Sequence, residues 1–129
     1  MKYEKVNRAF IKVNENWIDK KIAILTKLRA LVNKARKSLE SGLDTIIEVY
    51  KKDYGVTDSA GHSADKKKIL RLFDDGYYLD VKDYVKAFAN QYTPPSGATP
   101  RVSPNRVAAK IVSELTALMN AEYKAQENL

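Results

Sequence analysis

His62, the single histidine of the chain, stands in SAGHSAD beside Ser59, Ser63, Asp58 and Asp65, so a nucleophile, a base and an orienting carboxylate are all within a few positions. A working triad needs those groups brought together by the fold. Neighbours in one loop do not achieve this, and no Gly-x-Ser-x-Gly elbow gives the serine its strained turn. Asp74, Asp75, Asp80 and Asp83 could ligate Mg²⁺, but they fall where helix ends favour capping and solubilising acids, and EF-hand spacing is absent. No P-loop, dinucleotide fingerprint, HExxH or zinc spacing occurs. With no cysteine there is no thiolate, disulfide or thiol nucleophile. The expectation is a protein that is not an enzyme, with no cofactor and no metal.

Charge is the stronger signal. The stretch from Lys20 to Leu39, KKIAILTKLRALVNKARKSL, holds seven basic residues and no carboxylate, which equals the formal charge of +7 carried by the whole chain. Residues 1–52 hold thirteen Lys or Arg against six Asp or Glu, and the remainder is balanced, so the positive field is local. Lys20, Lys27 and Lys34 are spaced by seven, and on a helix they drift by only about 20° per step along one margin of the apolar stripe. Lys5 and Lys12 roughly prolong the row. Glu15, Asp19, Glu40, Asp44 and Glu48 fall toward the other flank, while Arg29 and Arg36 edge the apolar face itself.

Such a row can meet phosphates spaced along a nucleic acid, or the acidic flank of a second copy in a helical dimer. The plainer alternative is a solvated face whose lysine stems cover the core. The candidate nucleic-acid contacts are Lys20, Lys21, Lys27, Arg29, Lys34, Arg36 and Lys37. A membrane-surface role, with Ile18, Ile22, Leu25 and Val32 entering the interface, is disfavoured, and Trp17 and Phe10 on the apolar side are expected in the core.

Tyrosines cluster in the middle of the chain, at Tyr50, Tyr54, Tyr77, Tyr78, Tyr84 and Tyr92. Exposed rings could stack on unpaired bases or anchor a protein interface, which makes Tyr77 and Tyr78 candidate partner contacts. Burial within a hairpin is the alternative. Residues 64–91 also have the outline of a helix-turn-helix. Against it, Leu72 occupies a position that wants a small residue, and Asp80 and Asp83 cancel Lys82 and Lys86. The string LFDDGYYLDVKDYV resembles the helix-turn-helix-shaped tail segment of phage replication-organiser proteins, over this short string only, and no function is carried over from it. An αα-hairpin packed by Ile69, Leu72, Phe73, Leu79, Tyr84, Val85 and Phe88 is expected instead.

The elements that must position these residues are all helical. Val6, Phe10, Val13, Trp17, Ile24, Leu28, Leu31, Ala35, Leu39, Ile46 and Tyr50 recur in steps of three, four and seven, and no proline interrupts residues 1–93. This predicts a long basic helix over 1–52, or a helix pair. One unbroken helix of roughly 75 Å is too long for a compact domain of this size, so a kink or break is expected near Gly42, with Asn14 and Asn16 as a weaker second place. Residues 53–63 read as a loop, and Ser63 caps a helix from Ala64 to Asp75 that Gly76 ends. Asp80 caps the next helix. Residues 92–105 hold all four prolines and form a connection, and a C-terminal helix over 104–127 starts behind Ser103 and Pro104.

The fold class expected is therefore all-α, a single domain of four to six helices. The N-terminus has no uninterrupted apolar region, and no apolar run approaches the roughly 20 residues that span a bilayer, which leads to a cytoplasmic expectation. The expected function is binding of an acidic polymer, most of all nucleic acid, through the basic first helix. The alternative is a protein-interaction module of adaptor, inhibitor or immunity type, phage- or plasmid-encoded, and the long helix leaves room for a homo-oligomer.

Overall fold

The computed structural model describes residues 2–57, 59–92 and 102–128, with side chains described from Asn16 onward except at 59 and 60. Four helices are present among them: α1 (Lys2–Lys52), α2 (Ser59–Asp74), α3 (Tyr78–Ala89) and α4 (Pro104–Asn128). The chain is all-α, with a long first helix packed on a short hairpin and a C-terminal helix.

The expected break near Gly42 does not occur, nor does one at Asn14 or Asn16. α1 runs for 51 residues without interruption, about 76 Å. Gly42 serves packing instead: a Cβ there would stand 2.6 Å from Ile111 Cδ1 and 3.3 Å from Val107 Cγ1 of α4. Leu39, Leu43 and Ile46 on either side are completely buried, and this burial outweighs the roughly 1 kcal/mol that glycine costs inside a helix. α1 ends where Gly55 takes a φ of +66° and the Val56 N–H donates to the Tyr50 carbonyl at 2.8 Å.

Other boundaries shift modestly from expectation. α2 begins at Ser59, so Ser63 lies within it rather than capping it, and α3 begins at Tyr78, placing Asp80 in its first turn. Gly76 does terminate the hairpin's first helix, at a φ of +87°. Ser103 does cap α4, its Oγ accepting from the Arg106 N–H at 3.4 Å. From 93 to 101 the proline-rich connection lies outside the described residues.

Helix directions follow from which residues meet. Tyr50 stacks near His62 while Arg36 binds Asp74, so α2 runs antiparallel to α1. Phe73 packs on Tyr78, and His62 lies against Phe88 and Tyr92, so α3 turns back along α2. α4 returns antiparallel on α1, with position 42 facing 111 and the 31–35 turn facing 117–118. Each helix packs on the next, and α4 closes the ring on α1 in the most extensive of the four contacts. This is an up-down-up-down four-helix bundle. Its core combines Leu39, Leu43, Ile46 and Tyr50 of α1 with Ile69, Phe73, Val81, Val85, Phe88, Ile111 and Leu115 of the other helices.

The bundle covers only part of α1. Among the described side chains of that helix burial begins at Ala35, and the α2–α3 turn lies level with Arg36. Continuing the α1–α4 register puts Asn128 level with about residue 25. The first half of α1 therefore projects beyond every other described helix, by about 35 Å. No helix among the described residues is long and apolar enough to cross a membrane.

Candidate functional site

Amphipathic periodicity continues without change along α1 after the helices that would cover its apolar face have ended. Trp17, expected in the core, is 50% exposed, Ile22 is 55% exposed, and Ile18, Leu25 and Leu31 are similarly open. The reason is length: α2 and α3 have 16 and 12 residues and cannot follow a partner of 51. Leu28 and Val32 are partly buried, against the end of the core. Below them the stripe has no described partner helix.

The basic residues sit on the margins of this open face. Lys20, Lys27, Arg29, Lys34 and Lys37 are exposed. Lys21 lies on the apolar side and holds its ammonium 3.1 Å from the centre of the Trp17 ring, a cation–π contact that shields part of the indole. Lys5 and Lys12 lie outside the described side chains.

Arg36 is engaged differently from the other six cations. Its Nε and Nη2 donate to the two carboxylate oxygens of Asp74 at 3.0 and 3.1 Å, and Nη1 donates to Glu40 at 3.0 Å. The hydrogen bonds from Arg36 hold the Asp74 carboxyl below its ordinary range, and the same pair raises the guanidinium. Arg36 thus ties α1 to the end of α2. The acidic flank of α1 is also engaged within the chain: Lys66 of α2 reaches Asp44 at 2.7 Å and Glu40 at 3.8 Å, and Lys52 binds Glu48 at 2.9 Å.

The tyrosines separate into two groups. Tyr50 is completely buried at the far end of the bundle, its hydroxyl donating to the Phe88 carbonyl, with Tyr54 and Tyr92 packed on its ring. Tyr77 and Tyr78 sit at the end from which α1 emerges. Tyr77 is exposed, whereas Tyr78 is half-buried on Phe73 with its ring 5.1 Å away. Burial, and then the carboxylates of Glu122 and Asp74, push the Tyr78 hydroxyl up. Both line an open pocket of about 450 Å³ with Leu79, Met119, Glu122 and Tyr123. Leu79 and Tyr84, expected to pack the hairpin, are exposed, and Val81 fills the core instead.

His62 faces inward on α2 at 1% exposure, its ring 5.3 Å from Tyr50 and 5.4 Å from Tyr92, and neither ring nitrogen has a hydrogen-bond partner among the described residues. Ser63 is exposed one position on, about 100° around the helix, so the two side chains diverge. No cluster of His, Cys, Asp and Glu among the described residues could hold a metal ion.

Sequence periodicity misassigned Trp17 to the core, and the open Ile18, Ile22 and Leu25 beside it entered the sequence reading only as a membrane-facing set. Comparing the helix lengths would have found the open face. Compared with known proteins, the chain matches no family model, no curated protein and no solved structure.

Proposed function

We propose that this protein is a non-enzymatic docking module in which the four-helix bundle holds out the first half of α1 to bind another protein. The observation that carries the reading is the exposed apolar stripe of Trp17, Ile18, Ile22, Leu25 and Leu31. A continuous apolar face of that length, rimmed by charged residues, marks an interaction surface. Tyr77 and Leu79, exposed beside the pocket at the emerging end, extend the contact area onto the bundle. The cysteine-free sequence fits work in the cytosol.

A second reading, binding of nucleic acid, is favoured by the exposed row Lys20, Lys27 and Lys34, with Lys37 beyond it, Lys21 on the apolar side and Arg29 on the opposite margin. Lysines in such a row bind phosphate with little sequence preference and strong salt dependence. Arg36 contributes to that reading only by leaving Asp74 and Glu40.

Two variants separate the readings. Lys20→Glu/Lys27→Glu/Lys34→Glu abolishes nucleic-acid binding with helical content intact if the lysine row is the site. Ile18→Ser/Ile22→Ser/Leu25→Ser leaves nucleic-acid affinity unchanged but removes a protein partner. Fluorescence anisotropy of labelled DNA and RNA at low and near-physiological salt supplies the first readout, and affinity capture with the intact and stripe-altered chains the second. Micromolar nucleic-acid binding that falls steeply with salt and ignores the serine variant would replace the first reading by the second.

A further inference from the structure

This inference rests on the reading of α1 as a docking helix and names what it docks. The open face has the pattern of a helix-pairing seam. Trp17, Ile24 and Leu31 recur at steps of seven, and so do Asn14, Lys21, Leu28 and Ala35, so the two sets alternate by three and four. Polar residues within such a seam specify pairing with another helix, whose side chains can reach them. Hydrocarbon offers them nothing.

α4 already uses this face in one direction. It lies antiparallel on α1 from position 42 down to about residue 25, where the described part of α4 ends at Asn128, while the strip it covers continues through Ile24 and Trp17, with Ile18, Ile22 and Leu25 round the helix on the side that α2 covers higher up. The unfilled place is thus in line with α4.

Charge selects the occupant. Lys20, Lys27 and Lys34 line one margin of the seam, Arg29 lies on the other, and no carboxylate occurs from Lys20 to Leu39. A second copy would bring the same excess of cations. In an antiparallel pair like margins face each other, so its lysine row would meet this one. In its acidic flank Glu40 and Asp44 are bound by Lys66 and Glu40 also by Arg36, so the described side chains of its open half offer Asp19 alone against Lys20, Lys27, Arg29 and Lys34.

We propose that the first half of α1 binds an acidic amphipathic helix of another protein, laid antiparallel along it as a continuation of α4, with apolar residues on Trp17, Ile24 and the adjoining Leu25 and carboxylates at Lys20, Lys27 and Lys34. Lys21 lies over the indole in the unbound chain and swings to a partner carboxylate on binding.

Trp17 is the only tryptophan, so its emission reports this surface directly. The probe is a synthetic heptad peptide with leucine at its seam positions and glutamate on both margins, titrated into the full chain. A matched peptide with lysine on the margins, duplex DNA, anionic phosphatidylglycerol vesicles and a dilution series of the protein alone are run beside it. A saturable blue shift with the glutamate peptide is expected, weakened by about tenfold or more in Lys20→Glu/Lys27→Glu/Lys34→Glu and in Ile24→Ser/Leu25→Ser, with circular dichroism unchanged. The lysine peptide should give none. An equal response to both peptides, or one confined to vesicles, DNA or rising protein concentration, overturns the acidic helix but keeps α1 as a docking surface. A Trp17 signal that none of these moves removes the docking reading as well.

Discussion

Gly42 and Ile111 meet so closely across the α1–α4 interface that a β-carbon on Gly42 would lie 2.6 Å from the Ile111 Cδ1 atom and 3.1 Å from Cγ1. The glycine is the local device by which α4 approaches the middle of a 51-residue helix. Alanine would gain up to about 1 kcal/mol in helix propensity but must displace a buried side chain, a cost of roughly 1–3 kcal/mol. Gly42→Ala is therefore expected to destabilise the bundle by about 1 kcal/mol. In an Ile111→Val background, which lacks Cδ1, the same change should cost less. Urea midpoints of the four chains give the coupling, and equal costs in the two backgrounds would contradict the contact.

Alkaline pH should act through Tyr50. Burial, and then the neighbouring Tyr54 and Tyr92 hydroxyls, raise its hydroxyl well above the ordinary value of 10.0. The native state thus keeps this proton at a pH where the unfolded chain loses it. The contribution is complete below pH 10.0 and diminishes as pH rises above it, by at most about 1.4 kcal/mol per unit. Tyr50→Phe should cost about 1–2 kcal/mol at neutral pH, through the lost bond to the Phe88 carbonyl, and flatten this decline. Denaturation at several values above pH 9 checks both, and parallel curves for the two chains would count against it.

At the opposite end of the scale, Asp74 loses its advantage in acid. Arg36 holds its carboxyl below the ordinary 3.8, so the pair stabilises the native state above that value and ceases to do so as pH falls below it. Both side chains are partly solvated, which limits the effect to about 1 kcal/mol or less. Asp74→Asn should lower the thermal midpoint slightly at neutral pH, and the gap to the parent chain should close in acid. A gap independent of pH would assign the loss to packing.

Hydrogen exchange should divide α1 in two. Amides around Leu39, Leu43 and Ile46 open only with the bundle, whereas those before about residue 24 are held by helix formation alone, which is marginal in water. Fast exchange is expected for the first half and slow exchange for the second. Scattering should give a maximum dimension near 75 Å and a radius of gyration above the 14 Å or so of a compact chain of this length. Uniform protection along α1 would mean that its first half is covered, by a second copy or by a fold-back.

The helical class, the long first helix, the stop at Gly76, the start behind Ser103 and the local excess of lysine were all legible in the sequence. All of these depend on residues a few positions apart: apolar spacing of three and four, a glycine that accepts positive φ, and a serine before a proline. Tertiary structure decided the rest. Gly42 resembles a helix breaker until Ile111 is placed against it. Trp17 and Tyr50 lie on one periodic stripe, yet one is half in solvent and the other fully buried, because periodicity marks a face without indicating how far its partner helices extend. Arg36 has the spacing of a phosphate contact, but the antiparallel return of α2 presents Asp74 to it. His62, in a segment with the composition of a loop, became core once Tyr50, Phe88 and Tyr92 closed around it. Each of these outcomes depends on helix length and register across the bundle, which are set by groups far apart in the chain.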